Sequence, residues 1–279
     1  MDAKQFFEPS ASAFVLNFVQ FCLRYFLVAG GIYWVLHVAF RQRWLGYRIQ
    51  PAFPPPGQVG YEVRWSMLNT ACSGLSTLLI SKLAHDGNTH LYFGMRDYGW
   101  SYFALSVLLC IAGYDTWIYW QHRGLHTRWL FRHVHSVHHR VANPTGFAAF
   151  AQHPIETLMG NVYFILFVVF VPIHPVALGL AGLYMFIIGI NAHAGYEFYP
   201  RGFTRHWLLG WINTSTHHNM HHRYVGCNYG NWFNFWDSLM GTNHPAYHDT
   251  FDAVPRRRVV VPGGESLSTL SVPASREAA

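Results

Sequence analysis

Residues 156–193 read ETLMGNVYFILFVVFVPIHPVALGLAGLYMFIIGINAH, and after Glu156 they contain no Asp, Glu, Lys or Arg. Two apolar stretches, 156–171 and 175–193, approach the roughly 20 residues that a helix needs to cross a bilayer. Only Pro172-Ile173-His174-Pro175 separates them. An uncharged break closed by two prolines predicts a tight turn, so the segment predicts a helical hairpin in lipid that ends at His193.

Three more apolar stretches precede it, near 14–40, 66–82 and 99–120. The chain of 279 residues is 51% hydrophobic, 18% aromatic and 11% charged, against roughly 25% charged in soluble proteins. Together these predict an all-α integral membrane bundle of about four to five spans, a multi-pass protein. Residues 1–14 lack a basic run leading into a short apolar core, so the first apolar stretch is expected to be retained rather than cleaved.

Arg41, Arg43, Arg48 and Arg64 fill one connection, and Arg123, Arg128, Arg132 and Arg140 fill another. Clustered arginines beside spans mark the cytoplasmic side. The segments 121–155 and 194–252 are too polar to span and are expected to form a cytoplasmic helical cap, with the 83–98 loop and the Pro172–Pro175 tip on the opposite side. The membrane would be a bacterial inner membrane or the endoplasmic reticulum. A net charge of +6 raises nucleic acid as a partner, but the arginines flank apolar helices and form no basic stripe interleaved with stacking aromatics, so none is expected. The four cysteines show no CxxC or paired spacing. From about Pro255 onward Ser, Pro and Gly replace aromatics, which predicts a flexible tail over 255–279. Residues 1–254 then form a single domain.

The cap carries three histidine clusters: His122 and His126; His135, His138 and His139; and His217-His218 with His221-His222. Residues at i, i+3 and i+4 share a helix face, so His122 and His126, His135 with His138 and His139, and His218 with His221 and His222 can converge. Imidazole suits Zn, Cu, Fe and Ni. Eight nitrogens are about twice what one tetrahedral zinc uses, which points to a dinuclear centre. His193, where the hairpin leaves the bilayer, is a ninth candidate. Glu197, one turn later, is expected to orient a histidine rather than to bind metal itself. Asp115 lies inside an apolar stretch, where an ionisable group is costly and usually functional, and is given the same orienting role. A haem held by two facing histidines would leave the HxxHH clusters idle. Two other readings stay open: a zinc-dependent membrane hydrolase with Glu156 or Glu197 activating water, and a membrane metal carrier.

The order HRGLH (122–126), HSVHH (135–139), HHNMHH (217–222) after paired apolar spans resembles the sterol desaturase and fatty-acid hydroxylase superfamily of membrane di-iron enzymes. The resemblance covers about 110–245. Asp115-Thr-Trp117, Asn143-Pro-Thr145, His153-Pro-Ile-Glu156, Asn228-Tyr-Gly230 and Phe235-Trp-Asp237 resemble its sterol branch, which includes C-5 sterol desaturases and C-4 methylsterol oxidases. Fatty-acid 2-hydroxylases of the family carry a further histidine where this chain has Glu197. The resemblance implies two non-haem irons, O2 as co-substrate, a lipid substrate with a sterol favoured over a fatty acid, and desaturation or hydroxylation of an unactivated C–H bond. It also implies electrons from a separate donor protein of cytochrome-b or ferredoxin type.

Overall fold

The computed structural model describes residues 8–254, and the tail proposed for 255–279 lies outside them. Helices are the only regular secondary structure among the described residues, beside isolated bridges. Helix α1 (Ala11–Ala39) starts at Ser10, whose hydroxyl accepts the Ala13 N–H, and loosens into π-helical turns at Phe26–Gly30 and Trp34–Ala39. Helix α2 is Gln58–His85 and α3 is Met95–Leu125. Near its start α3 leaves helical geometry at Gly99, where φ is 76°, a value that glycine adopts without steric cost.

The hairpin forms as its prolines dictate. Helices α5 (Pro154–Phe170) and α6 (Pro175–His193) each begin at a His-Pro pair, with the proline in the first turn and the preceding histidine ring accepting a backbone N–H. Proline has no N–H to leave unsatisfied there, and its φ is already helical. At the turn the 86–94 loop pairs with the hairpin, His90 N–H reaching Val168 O and Tyr92 N–H reaching Ile173 O. Before the hairpin, a short composite helix α4 (128–139) turns through a π-helical stretch at Phe131–His135. After it come α7 (Ser215–Tyr224), α8 (Phe235–Met240) and α9 (Tyr247–Ala253).

Three described helices, α1, α3 and α6, are long and apolar enough to cross a membrane, and α5 is apolar but shorter. The expected stretch 66–82 lies inside α2, which extends well beyond it at both ends and buries Glu62, Ser66, Asn69, Thr70 and Ser76. Its leucines Leu68, Leu75 and Leu79 face outward. Polar groups inside and aliphatic groups outside suit a lipid solvent, in which exposed leucine costs nothing and a polar group needs a partner. On α1 and α3, Leu27 and Leu108 are likewise 77% and 63% exposed.

Candidate metal centre

The nine expected histidines come together at the ends of α3, α4, α6 and α7, in two adjoining groups. His122, His126, His135, His139 and His221 form one, and His138, His193, His218 and His222 the other; within each, one ring nitrogen per residue lies within 4.8 Å of all the rest. The rings of His139 and His222, one from each group, are 5.1 Å apart. Each HxxHH triplet is divided. His135 and His139 enter the first group while His138 between them enters the second; on α7, His218 and His222 enter the second while His221 enters the first. Helical spacing predicts a shared face, and the structure splits that face between two volumes.

Hydrogen bonds fix the ring orientations. His122 Nδ1 faces Tyr229 O at 2.7 Å, His221 Nδ1 faces Cys227 O at 2.6 Å, His193 Nδ1 faces Gly189 O at 2.8 Å and His138 Nδ1 faces Ala151 O at 3.3 Å. His135 Nδ1 is 2.9 Å from Glu156 Oε2. A ring that faces a carbonyl or carboxylate carries its proton on Nδ1 and turns a bare Nε2 to the centre. In two pairs both partners are held this way, yet their Nε2 atoms approach to 3.0 Å (His122 and His135) and 3.4 Å (His138 and His193). Neither can donate to the other while both stay neutral. Burial, reinforced by the neighbouring imidazoles, keeps His138, His139, His218, His221 and His222 well below the usual histidine range, so His138 does not relieve its contact with His193 by taking up a proton at neutral pH. A cation between the facing lone pairs does. Among the nine, His126 Nε2 is buried without a partner, as are the outer Nδ1 atoms of His139, His218 and His222, whose Nε2 atoms face other rings of the centre. The donor set fits metal.

The carboxylates stand outside both groups. Glu197 is buried and accepts the Thr216 N–H and hydroxyl and the Tyr199 N–H, which places it at the start of α7 rather than on a histidine ring; burial raises its pKa. Asp115 was expected to orient a histidine, but Oδ1 instead accepts the backbone N–H groups of Trp232 and Phe233. The reason is distance along the helix: Asp115 sits two turns before His122 on α3 and meets the 228–234 loop there. That loop supplies Tyr229 O to His122, so Asp115 reaches the ring only through backbone. Asp237 braces the same loop, accepting Tyr229 and Gly230 N–H groups.

One partner of the centre is not predicted by the sequence: Glu156, whose expected roles are a hydrolytic base and part of the His153-Pro-Ile-Glu156 motif, is the anion behind His135; its signal is its position as the one charge opening an uncharged hairpin. His217 belongs to neither group and faces Asn243 Oδ1 at 3.2 Å and Asp237 Oδ2 at 3.5 Å. His153 caps α5.

A cavity of about 420 Å³ opens onto the centre, reaching His122 and His135 of the first group and His138, His193 and His218 of the second. Its walls come from α1, α2, α3, α5 and α6. Along α6 the lining runs from Gly179 to His193, about 21 Å at 1.5 Å per residue.

A helical membrane bundle with nine converging histidines and a cavity that reaches them defines the class. The fatty acid hydroxylase family profile matches residues 107–242. A Delta(7)-sterol 5(6)-desaturase of Gibberella zeae is 33% identical over 192 residues, covering 67% of this chain and 56% of that protein. Lathosterol oxidase of Rattus norvegicus is 32% identical over 194 residues, covering 68% of this chain and 62% of that protein. A very-long-chain aldehyde decarbonylase of Oryza sativa subsp. indica is 31% identical over 206 residues, covering 71% of this chain and 74% of that protein. The chain belongs to the sterol desaturase and fatty acid hydroxylase superfamily. It spans less than two thirds of the length of the first two relatives. No solved structure matches it.

Proposed function

We propose that this protein is a membrane non-haem di-iron oxidoreductase that uses O2 to desaturate or hydroxylate an unactivated C–H bond of a lipid, with a sterol as the favoured substrate. The observation that carries the reading is the pair of close Nε2–Nε2 contacts, one in each histidine group. A saturated carbon offers neither an acidic proton nor a leaving group, and iron bound at the centre supplies the redox chemistry with O2 that its oxidation needs. The chain's own groups do the positioning: backbone carbonyls and Glu156 hold the rings in one tautomer and make them better donors, and Asp115 and Asp237 hold the loop behind His122.

Hydrolysis is less well supported, because both candidate bases are occupied. Glu156 is bound to His135, and Glu197 to Thr216 and Tyr199. A carrier is less well supported too, since the histidines are gathered at one end rather than spaced along the spans. For the substrate, the sterol desaturase and lathosterol oxidase among the relatives favour a sterol. So does the wall of α6, where a Cβ added at Gly182 or Gly189 would meet nothing within 4 Å, leaving a smooth face for a flat, rigid skeleton. Residues 1–254 act as one domain, the histidine end faces the cytoplasm beside its arginines, and a separate protein delivers electrons.

Metal analysis with an oxygen-uptake assay tests this. Purified protein is expected to hold about one iron per histidine group and to consume O2 when given a sterol and a reductant. Zinc at the centre with no O2 uptake would overturn it.

A further inference from the structure

Most polar side chains around the cavity are already satisfied. Thr70 and Thr77 return their hydroxyls to Ser66 O and Ser73 O in their own helix, and Asn161 Nδ2 donates across to Ser73 Oγ at 3.3 Å and Ser76 Oγ at 3.2 Å. Besides His218 Nδ1 in the metal centre and Asn231 Oδ1, two buried groups on neighbouring helices of the lining are not. Asn69, 3% exposed, donates Nδ2–H to Phe150 O at 2.9 Å, which fixes its amide and leaves Oδ1 without a partner. Thr157, 9% exposed, has a hydroxyl with no partner at all. An unpaired buried polar group costs roughly 1–3 kcal/mol, so two in one cavity wall call for a ligand.

Their placement makes them a pair. Helices α2 and α5 both start at the histidine end: Gln58 Nε2 donates to Asn143 O, and Glu156 meets His135. They run parallel toward the hairpin turn. Asn161 meets Ser73, and one helical turn nearer the metal centre from each stand Thr157 on α5 and Asn69 on α2, both in the cavity lining. Thr157 also follows directly on Glu156, the residue behind His135.

Resting on the reading of this cavity as the lipid site, we propose that Asn69 and Thr157 form a hydroxyl-binding subsite that selects a lipid alcohol and holds its oxygen beside the carbon to be oxidised. An alcohol satisfies both groups, donating O–H to Asn69 Oδ1 and accepting O–H from Thr157. An ether or ester oxygen cannot donate and leaves Asn69 Oδ1 unpaired. The alcohol can belong to a sterol or to a straight-chain lipid, and the two sources are separable by experiment.

The test is equilibrium binding to the full chain in lipid nanodiscs, followed by tryptophan fluorescence because Trp232 lines the cavity. One arm compares a free sterol with its methyl ether, and the other a long-chain primary alcohol with its methyl ether. In one arm the wild-type protein is expected to prefer the alcohol by about 5- to 30-fold, the worth of one or two hydrogen bonds, and that arm names the source. Thr157→Val keeps shape and removes only the hydroxyl; it is expected to reduce the preference to about twofold or less, and Asn69→Leu to do the same. No preference in either arm, as when an ordered water fills the gap, or a preference unchanged in both variants, overturns the proposal. Failure of the oxygenase reading shows separately, as absent O2 uptake with the binding preference intact.

Discussion

The two histidine groups draw on the same helices but are supported differently. The five-membered group has an anion behind it, with Glu156 on His135, and hydrogen bonds from His122 and His221 to backbone carbonyls; two of its members, His126 and His139, are only half-buried. The four-membered group is wholly buried and has no carboxylate on any ring; carbonyls hold His138 and His193, while the outer nitrogens of His218 and His222 have no partner. The first group therefore has a ligand to spare and a rigid outer shell, whereas the second depends on each of its four. Electrostatic support and redundancy have gone to the same side.

That contrast is most exposed to failure in ligand number. His193→Ala leaves three imidazoles in its group, and the expected result is loss of one metal per chain with turnover down by more than about 100-fold. His126→Ala leaves four in the other group and is expected to retain both metals. Metal stoichiometry of the two variants side by side decides the matter, and equal losses would show that the groups are not distinct sites.

Glu156→Gln sharpens the comparison without removing a ligand. The amide can still meet His135, but the anion that makes the ring a stronger donor is gone. Activity or metal affinity is expected to fall about 10- to 100-fold, with the loss confined to one metal; a chelator titration showing both metals weakened alike would contradict this.

The smallest effect is expected at Glu197, which braces the start of α7 rather than any ring. Glu197→Gln should keep both metals and lower stability by about 0.5–1.5 kcal/mol, because the amide keeps only one of the two oxygens that accept from Tyr199 and Thr216. Because burial raises its pKa, the folded protein holds this proton more tightly than the unfolded chain, so stability falls as pH rises from the ordinary carboxyl range through the raised value. In Glu197→Gln that part of the pH–stability curve should be flat. Loss of one metal in this variant would place Glu197 among the ligands.

Much of the architecture was present in local sequence. The His-Pro pairs at 153–154 and 174–175 start two helices because proline suits a first turn and histidine can cap it, and both effects act within a few residues. Eight of the nine histidines could likewise be read from spacings of three and four, since those spacings determine a helix face whatever surrounds it, and His193 only from its place at the end of the hairpin. Helix α2 was half legible: its leucine-rich middle stood out, while the polar face that lengthens it is tolerated only because α5 and the 143–150 segment pack on it. The division of each HxxHH triplet between two groups was not legible, because spacing orders residues on one helix and says nothing of how that helix crosses the next. Nor was the choice of ring nitrogen, which rests on Tyr229, Ala151, Gly189, Cys227 and Glu156, groups from four separate segments. The sequence by itself determined which side chains could bind metal; which volume each serves, and with which atom, was decided only when packing brought those distant carbonyls and one carboxylate behind the rings.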